Sequence, residues 1–247
     1  KSLQDIRTAF QKHVGVLQDL DYDLLDVKST RWHDDYSIFQ KGLKELEAML
    51  QNVIQMAFNS MKTVQEGVEL LESFTLLAKC DAIRRTVLLM TSNVYQMFLD
   101  DLSLVKKEFD MHKRDPPLQP FYPQYSGAAM WAQSLLDRVR DQKVLLNRSE
   151  HFLTHIPEME EAETEFESLR QSIEVHIKSV VYKSWLESID LNFEERLEQH
   201  LLAWTNGPGS LLECNFDQAL LRLFQEARYW GKLRMSLPLA AMDIVGR

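Results

Sequence analysis

The sequence predicts an all-α fold: an elongated bundle of long antiparallel helices, with a proline-rich crossing loop and one small β-hairpin near the C-terminus. Three observations carry that expectation. Apolar residues recur every three or four positions over long stretches, which keeps them on one face of a helix. Only 8 Gly and 7 Pro occur among 247 residues, so few positions interrupt a helical run. Four of the prolines crowd into one short segment, and a Gly-Pro-Gly turn flanked by apolar runs lies close to the C-terminus.

Residues 1–114 are expected to form a first helical bundle segment with a long hairpin. Its first arm is read from Leu43, Leu46, Leu50, Val53, Ala57, Met61, Val64, Val68 and Leu71, a stripe that spans about ten turns of one helix. The second arm is read from Ile83, Val87, Met90, Val94, Phe98, Leu102, Val105 and Phe109. Lys79-Cys80-Asp81 supplies a polar break between them, with Asp81 as N-cap. Residues 115–126 form the crossing loop. Pro116, Pro117, Pro120 and Pro123 fix φ and remove donors, and Phe121 and Tyr122 are expected to pin the loop onto the bundle.

Residues 127–190 are expected to form a second long helical hairpin. Ser126 or Gly127 caps its first helix, which carries Trp131, Leu135, Val139, Leu146, Leu153 and Ile156. Pro157 suits the first position of the next helix, and Glu158, Glu160, Glu161 and Glu163 complement the positive end of its dipole. The stripe of that helix continues through Phe166, Leu169, Ile173, Ile177 and Val180. Residues 191–247 hold the small hairpin and a capped helix that leads into whatever follows. Leu201–Thr205 and Ser210–Cys214 flank the Asn206-Gly207-Pro208-Gly209 turn. Asn215 or Asp217 then caps a helix carrying Leu220, Leu221, Phe224, Ala227 and Trp230, which ends before Pro238. Main helices of more than about 25 residues reach roughly 40 to 50 Å, and parallel cylinders of that length make a rod suited to transmitting force or setting spacing.

A net charge of −9 and a pI near 5.3 argue against nucleic-acid binding, which needs a basic face to displace phosphate counterions. No run of about 18 apolar residues suggests a membrane span. The opening Lys1-Ser2-Leu3-Gln4-Asp5 lacks a signal-peptide core and an initiator Met, so both ends are expected to be cut from something longer. Cys80 and Cys214 read as two reduced, buried thiols rather than a disulfide framework, and Asn147-Arg148-Ser149 as a chance match to a glycosylation site.

A search for chemistry finds none. No two of the eight glycines stand five apart, so no phosphate-binding loop exists to hold ATP. His151 and His155 have a spacing that can share a zinc, yet they lack a third ligand and read as surface histidines. The paired acids Asp34-Asp35, Asp100-Asp101, Glu160-Glu161 and Glu194-Glu195 point apart on a helix and read as solvated faces. No catalytic residue, cofactor or metal site is therefore expected. Met49, Met56, Met61, Met90 and Met97 read as core filler. Trp131 and Trp204 read as core anchors, and Trp230, near a helix end, as an interface residue.

Several stretches carry a family resemblance. They are Val64–Leu71, Leu104–Phe109 with Pro116-Pro117-Leu118, Tyr125-Ser126-Gly127-Ala128-Ala129-Met130-Trp131-Ala132, Asn215-Phe216-Asp217, and Glu226–Trp230 with Leu237-Pro238. In this order they resemble the N-terminal tail region of dynein heavy chains, and of the axonemal members in particular. In this resemblance Gly127 and Ala128 let a helix start approach the proline loop closely while Trp131 locks it. Asn215-Phe216-Asp217 ends the hairpin, caps the last helix and inserts one aromatic. The resemblance implies a non-catalytic tail segment of a motor whose ATPase ring, with its ATP and Mg, and microtubule-binding stalk lie elsewhere in the parent. It implies partners among other heavy chains, intermediate and light chains and docking factors on doublet microtubules, in the axoneme of a cilium or flagellum. The alternatives are a cytoplasmic dynein tail, an unrelated helical tether, or an all-helical enzyme.

Overall fold

The computed structural model describes residues 2–19, 21, 30–74, 81–148, 156–189, 200, 202–204, 211–215, 217–239, 241 and 242. Its helices are α1 (Ser2–Gln18), α2 (Arg31–Asn59), α3 (Val64–Phe74), α4 (Asp81–His112), α5 (Gln124–Arg148), α6 (Pro157–His176), α7 (Lys183–Ser188) and α8 (Gln218–Lys232), with a π-helical segment at Ile177–Tyr182. The strands β1 (Leu202–Trp204) and β2 (Leu212–Cys214) make one antiparallel sheet, so the fold is all-α with a small hairpin near the C-terminus, as the sequence predicts. Two compact units divide the chain. Unit 1 comprises Lys1–Asp100 with Asp141–Glu163, and unit 2 comprises Asp101–Arg140 with Thr164–Arg247.

In unit 1 the single ten-turn helix read from the first stripe proves to be two. α2 ends at Asn59, where the amides of Ser60 and Met61 turn back onto the carbonyls of Ala57 and Phe58, both at 3.2 Å. α3 then starts on its own cap. The Thr63 hydroxyl accepts from the Glu66 amide at 3.2 Å, and the Glu66 carboxylate accepts from the Lys62 amide at 2.7 Å. That Thr-x-x-Glu pairing is a variant of the capping box in which the glutamate takes the amide one residue before the cap, a local start signal that overrides an unbroken apolar stripe. Phe58 and Phe74 meet across the two helices with ring centroids 6.4 Å apart.

α4 realises its stripe in full, since Ile83, Val87, Met90, Val94, Phe98, Leu102, Val105 and Phe109 are all buried. Thr91 is buried beside them because its hydroxyl donates to the Val87 carbonyl at 2.9 Å. Asp81 lies inside the first turn of α4, paired with Arg84 at 3.1 Å, rather than capping it. α6 begins at Pro157 as expected. The Ser92 hydroxyl donates to Glu158 at 2.7 Å, and that bond holds the Glu158 carboxyl below its ordinary range. Of the expected core methionines, Met90 is buried, Met61 and Met97 are half-buried, and Met49 and Met56 are exposed.

In unit 2 the stripe of α6 changes phase. Phe166, Leu169, Ile173 and Ile177 are buried, but Val180 is exposed, and Val181 and Trp185 continue the buried face. The cause is the π-helical turn at Ile177–Tyr182, whose wider winding takes in one extra residue and rotates everything after it. The hairpin pairs Leu202 with Cys214, Ala203 with Glu213 and Trp204 with Leu212. Trp204, expected as a core anchor, is exposed, and so is Cys214, expected as a buried thiol. Strands of three residues have too few neighbours to cover either side chain. Cys80, Glu194-Glu195 and the Asn206–Gly209 turn lie outside the described residues.

α3 lies close against α4 at Gly67. A Cβ there would meet Val94 Cγ2 at 2.7 Å and Met61 Sδ at 3.1 Å, and the branched Val94 is fully buried with little room to shift. Gly67→Ala is therefore expected to destabilise the chain by roughly 1 kcal/mol, the overpacking outweighing the better helix propensity of alanine. Gly15→Ala, with nothing within 4 Å, is expected to do the opposite. A pair of thermal unfolding curves checks the two signs.

Candidate functional site

The resemblance motifs that fall within unit 2 meet where the proline loop, the start of α5 and the middle of α8 come together. α5 begins at Gln124, and the Gly127 amide already bonds the Pro123 carbonyl at 3.0 Å, which makes Pro123 the N-cap. Proline has no side-chain acceptor, so the first amides of α5 find no local cap. Glu226 of α8 supplies one from a hundred residues away. One carboxylate oxygen accepts from the Tyr125 amide at 2.8 Å and the other from the Ser126 amide at 2.7 Å. Glu226 is itself buried, 6% exposed, so its charge is balanced by these two dipoles and by the positive end of α5 rather than by water. Ser126 and Gly127, expected as N-caps, therefore sit inside the first turn of α5.

Gly127 is buried beside the loop, and a Cβ there would meet Tyr122 Cβ at 3.1 Å and Leu118 Cδ2 at 3.4 Å. Ala128 is half-buried next to it. Tyr122 leans on Tyr229 of α8 with centroids 5.3 Å apart, whereas Phe121 is 97% exposed at a φ of 74°. One loop aromatic thus pins the loop and the other does not. Pro116 is half-buried and Pro117 exposed, and Tyr125 is half-buried. Trp131 is half-buried rather than a core anchor, and it stacks on Phe109 at 6.3 Å with His112 against its edge at 6.5 Å.

At the other end of this region Asp217 caps α8, its carboxylate accepting from the Ala219 amide at 2.7 Å. Asn215 instead donates to the His200 carbonyl at 3.3 Å, and Phe216 lies outside the described residues. Leu220, Leu223, Glu226, Ala227 and Trp230 form the buried face of α8, leaving Leu221 and Phe224 exposed. Trp230, expected as an interface residue, is a core residue of unit 2. It packs on Trp185 at 5.6 Å and against the edge of Tyr182 at 5.1 Å, and the Tyr182 hydroxyl donates to the Ser236 carbonyl. Two buried groups in this core, Ser126 Oγ and Trp230 Nε1, have no hydrogen-bond partner among the described residues.

Sequence reasoning missed Glu226 as a structural residue, along with Tyr182, Trp185 and Tyr229. A signal for Glu226 existed, because a carboxylate at the three-and-four spacing between Leu223 and Trp230 sits in the middle of an apolar face. Trp185 was hidden by the π turn. Among the described residues no three His, Cys, Asp or Glu side chains are placed to share a metal ion, and His151 and His155 lie outside them. No described helix is long and apolar enough to cross a membrane.

The sequence matches the family model described as dynein heavy chain, N-terminal region 1, over residues 1–247. It is 38% identical over 244 residues to the dynein-1-beta heavy chain of the flagellar inner arm I1 complex of Chlamydomonas reinhardtii, covering 99% of this chain. It is 35% identical over 247 residues to dynein axonemal heavy chain 2 of Mus musculus, covering all of this chain. It is 25% identical over 242 residues to dynein axonemal heavy chain 5 of Mus musculus, covering 98% of this chain. The chain spans 5–6% of the length of these relatives.

Removing the carboxylate in Glu226→Ala leaves two buried amides without acceptors, with an expected loss of roughly 2 to 4 kcal/mol in unfolding free energy. Urea unfolding of the variant beside the parent chain checks it. A second expectation concerns pH. His176 sets its ring edge against Phe109 at 5.3 Å, and burial, helped by the charge of Lys113, pushes its pKa below the usual histidine range against a backbone hydrogen bond that raises it. The folded state thus favours the neutral ring. Its contribution is present above the unfolded pKa and is lost as pH falls through the lowered value. His176→Gln is expected to flatten the acid limb of the melting temperature against pH, and an unchanged limb would show that other groups set it.

Proposed function

The chain belongs to the dynein heavy chain N-terminal region 1 family, and from that premise we propose that it is a non-catalytic structural segment of an axonemal dynein tail. In this reading its long helices carry load between the motor head and its anchor. They also offer surfaces for other heavy chains, intermediate and light chains and docking factors, and the anchor is a doublet microtubule in a cilium or flagellum. ATP and Mg act in the ATPase ring elsewhere in the parent chain, and this segment binds neither.

The observation that carries the reading is how the buried carboxylate of the candidate site is used. Glu226 engages both oxygens with the amides of Tyr125 and Ser126. With both oxygens so engaged, the carboxylate ties the middle of α8 to the start of α5. Helices joined in this way resist sliding, which suits a segment under load. The surrounding chemistry fits, since the flanking groups are aromatic rings and helix caps rather than an acid and base within reach of one another.

Two measurements test the proposal. The isolated chain should show no ATP turnover above a heat-denatured control, and reproducible turnover would end the non-catalytic reading. In cells, heavy chains carrying Glu226→Ala should be depleted from isolated axonemes relative to the parent chain. Full incorporation alongside a measured loss of local stability would mean that the joint is dispensable for assembly.

A further inference from the structure

We infer that unit 2 docks an acidic amphipathic helix of another polypeptide in the groove between the proline loop and α8. The groove has a volume of about 720 Å³. Its floor is made by Trp185 and Leu223, both buried, and its sides by Tyr125 and Arg222, with Phe121 on the rim. The inference rests on the reading of the chain as an assembly module and names the surface and the chemistry of one partner.

Phe121 is the first reason. It is 97% exposed and holds a φ of 74°, a backbone conformation that a side chain of this size disfavours. An aromatic ring left in water forgoes its free energy of burial, and the strained backbone adds a further cost. Among the described residues nothing compensates either. A covering partner would recover the burial and account for the loop holding the ring outward.

Charge is the second reason. Arg222 is exposed and, among the described residues, no carboxylate pairs with it, while Glu226, the one acid among the described lining residues, is already committed to two backbone amides. Arg222 is thus the one described lining residue that offers an unpaired charge, in a chain whose net charge is −9. An occupant carrying Asp or Glu complements it.

The third reason selects a helix over an extended strand. Among the described residues no strand lines the groove, so they offer no ladder for a β-strand to extend. Its wall is α8, whose exposed Leu221 stands four residues before the lining residue Gln225 and three before exposed Phe224. Side chains at those spacings are neighbours on a helix, so Leu221 and Phe224 form an apolar ridge beside the groove on which a second helix can seat.

The experiment places a photoreactive benzoylphenylalanine at Phe121 in the full heavy chain, irradiates the native axonemal complex and sequences the cross-linked peptide. The expected product joins position 121 to a different polypeptide, in a segment with apolar residues at three-and-four spacing and flanking Asp or Glu. Arg222→Glu should lower the cross-link yield roughly tenfold through like-charge repulsion, and Arg222→Lys should retain most of it. No cross-link, a cross-link to the same chain or a second copy of it, a target without acids, or a yield indifferent to Arg222→Glu each overturns the inference. Incorporation into axonemes is read from the same samples. Heavy chain that incorporates without forming the cross-link sinks the groove and leaves the tail assignment standing. A cross-link that forms as expected while the isolated chain turns over ATP above a heat-denatured control does the reverse.

Discussion

A carboxylate buried in a helical bundle keeps its charge only if donors surround it, and a helix that starts from proline needs acceptors for its first amides. Glu226 and the start of α5 meet each other's requirement at 2.8 and 2.7 Å. The positions of the neighbouring parts follow. With α8 fixed over Tyr125 and Ser126, Tyr229 comes against Tyr122 and holds the proline loop down. Gly127 becomes the place where loop and helix pass closest, and Trp230 is carried inward onto Trp185 and Tyr182. A surface ion pair could not organise so much, because exposed pairs contribute little and hold no fixed geometry.

The π turn at Ile177–Tyr182 belongs to the same arrangement. Without the extra residue, the stripe through Phe166, Leu169, Ile173 and Ile177 would proceed to Val180, and Trp185 would face elsewhere. With it, Val181 and Trp185 come inward, and Tyr182 and Trp185 receive the Trp230 ring. The hydrogen-bond irregularity of the π turn is thus offset by burying two tryptophans on one another. The joint is aromatic on one side and charge-assisted on the other, and both kinds of contact fix angle as well as distance. That property suits a segment under tension, and it connects the packing of unit 2 to the function proposed for the chain.

Much of the fold was legible from residue spacing, because burial along a helix depends on local periodicity. All eight apolar positions of α4, the Pro157 start of α6, the Asp217 cap and the pairing of the hairpin arms followed from neighbours a few residues apart. The break at Asn59 was equally local, and the Thr63–Glu66 capping box was there to be read, but the longer apolar stripe masked it.

The sequence by itself thus determined the all-α class, the faces of most helices and the family. Each depends on interactions within a turn or two of helix, or on motifs of adjacent residues. Only the tertiary structure decided that Glu226 caps a helix a hundred residues away, that Trp230 is core, and that Trp204, Phe121 and Leu221 face solvent. Those outcomes depend on which distant element arrives to cover a side chain, and the period of a stripe carries no information about its partner. The π turn shows the limit most sharply, since one added residue changed the buried set without any change in composition.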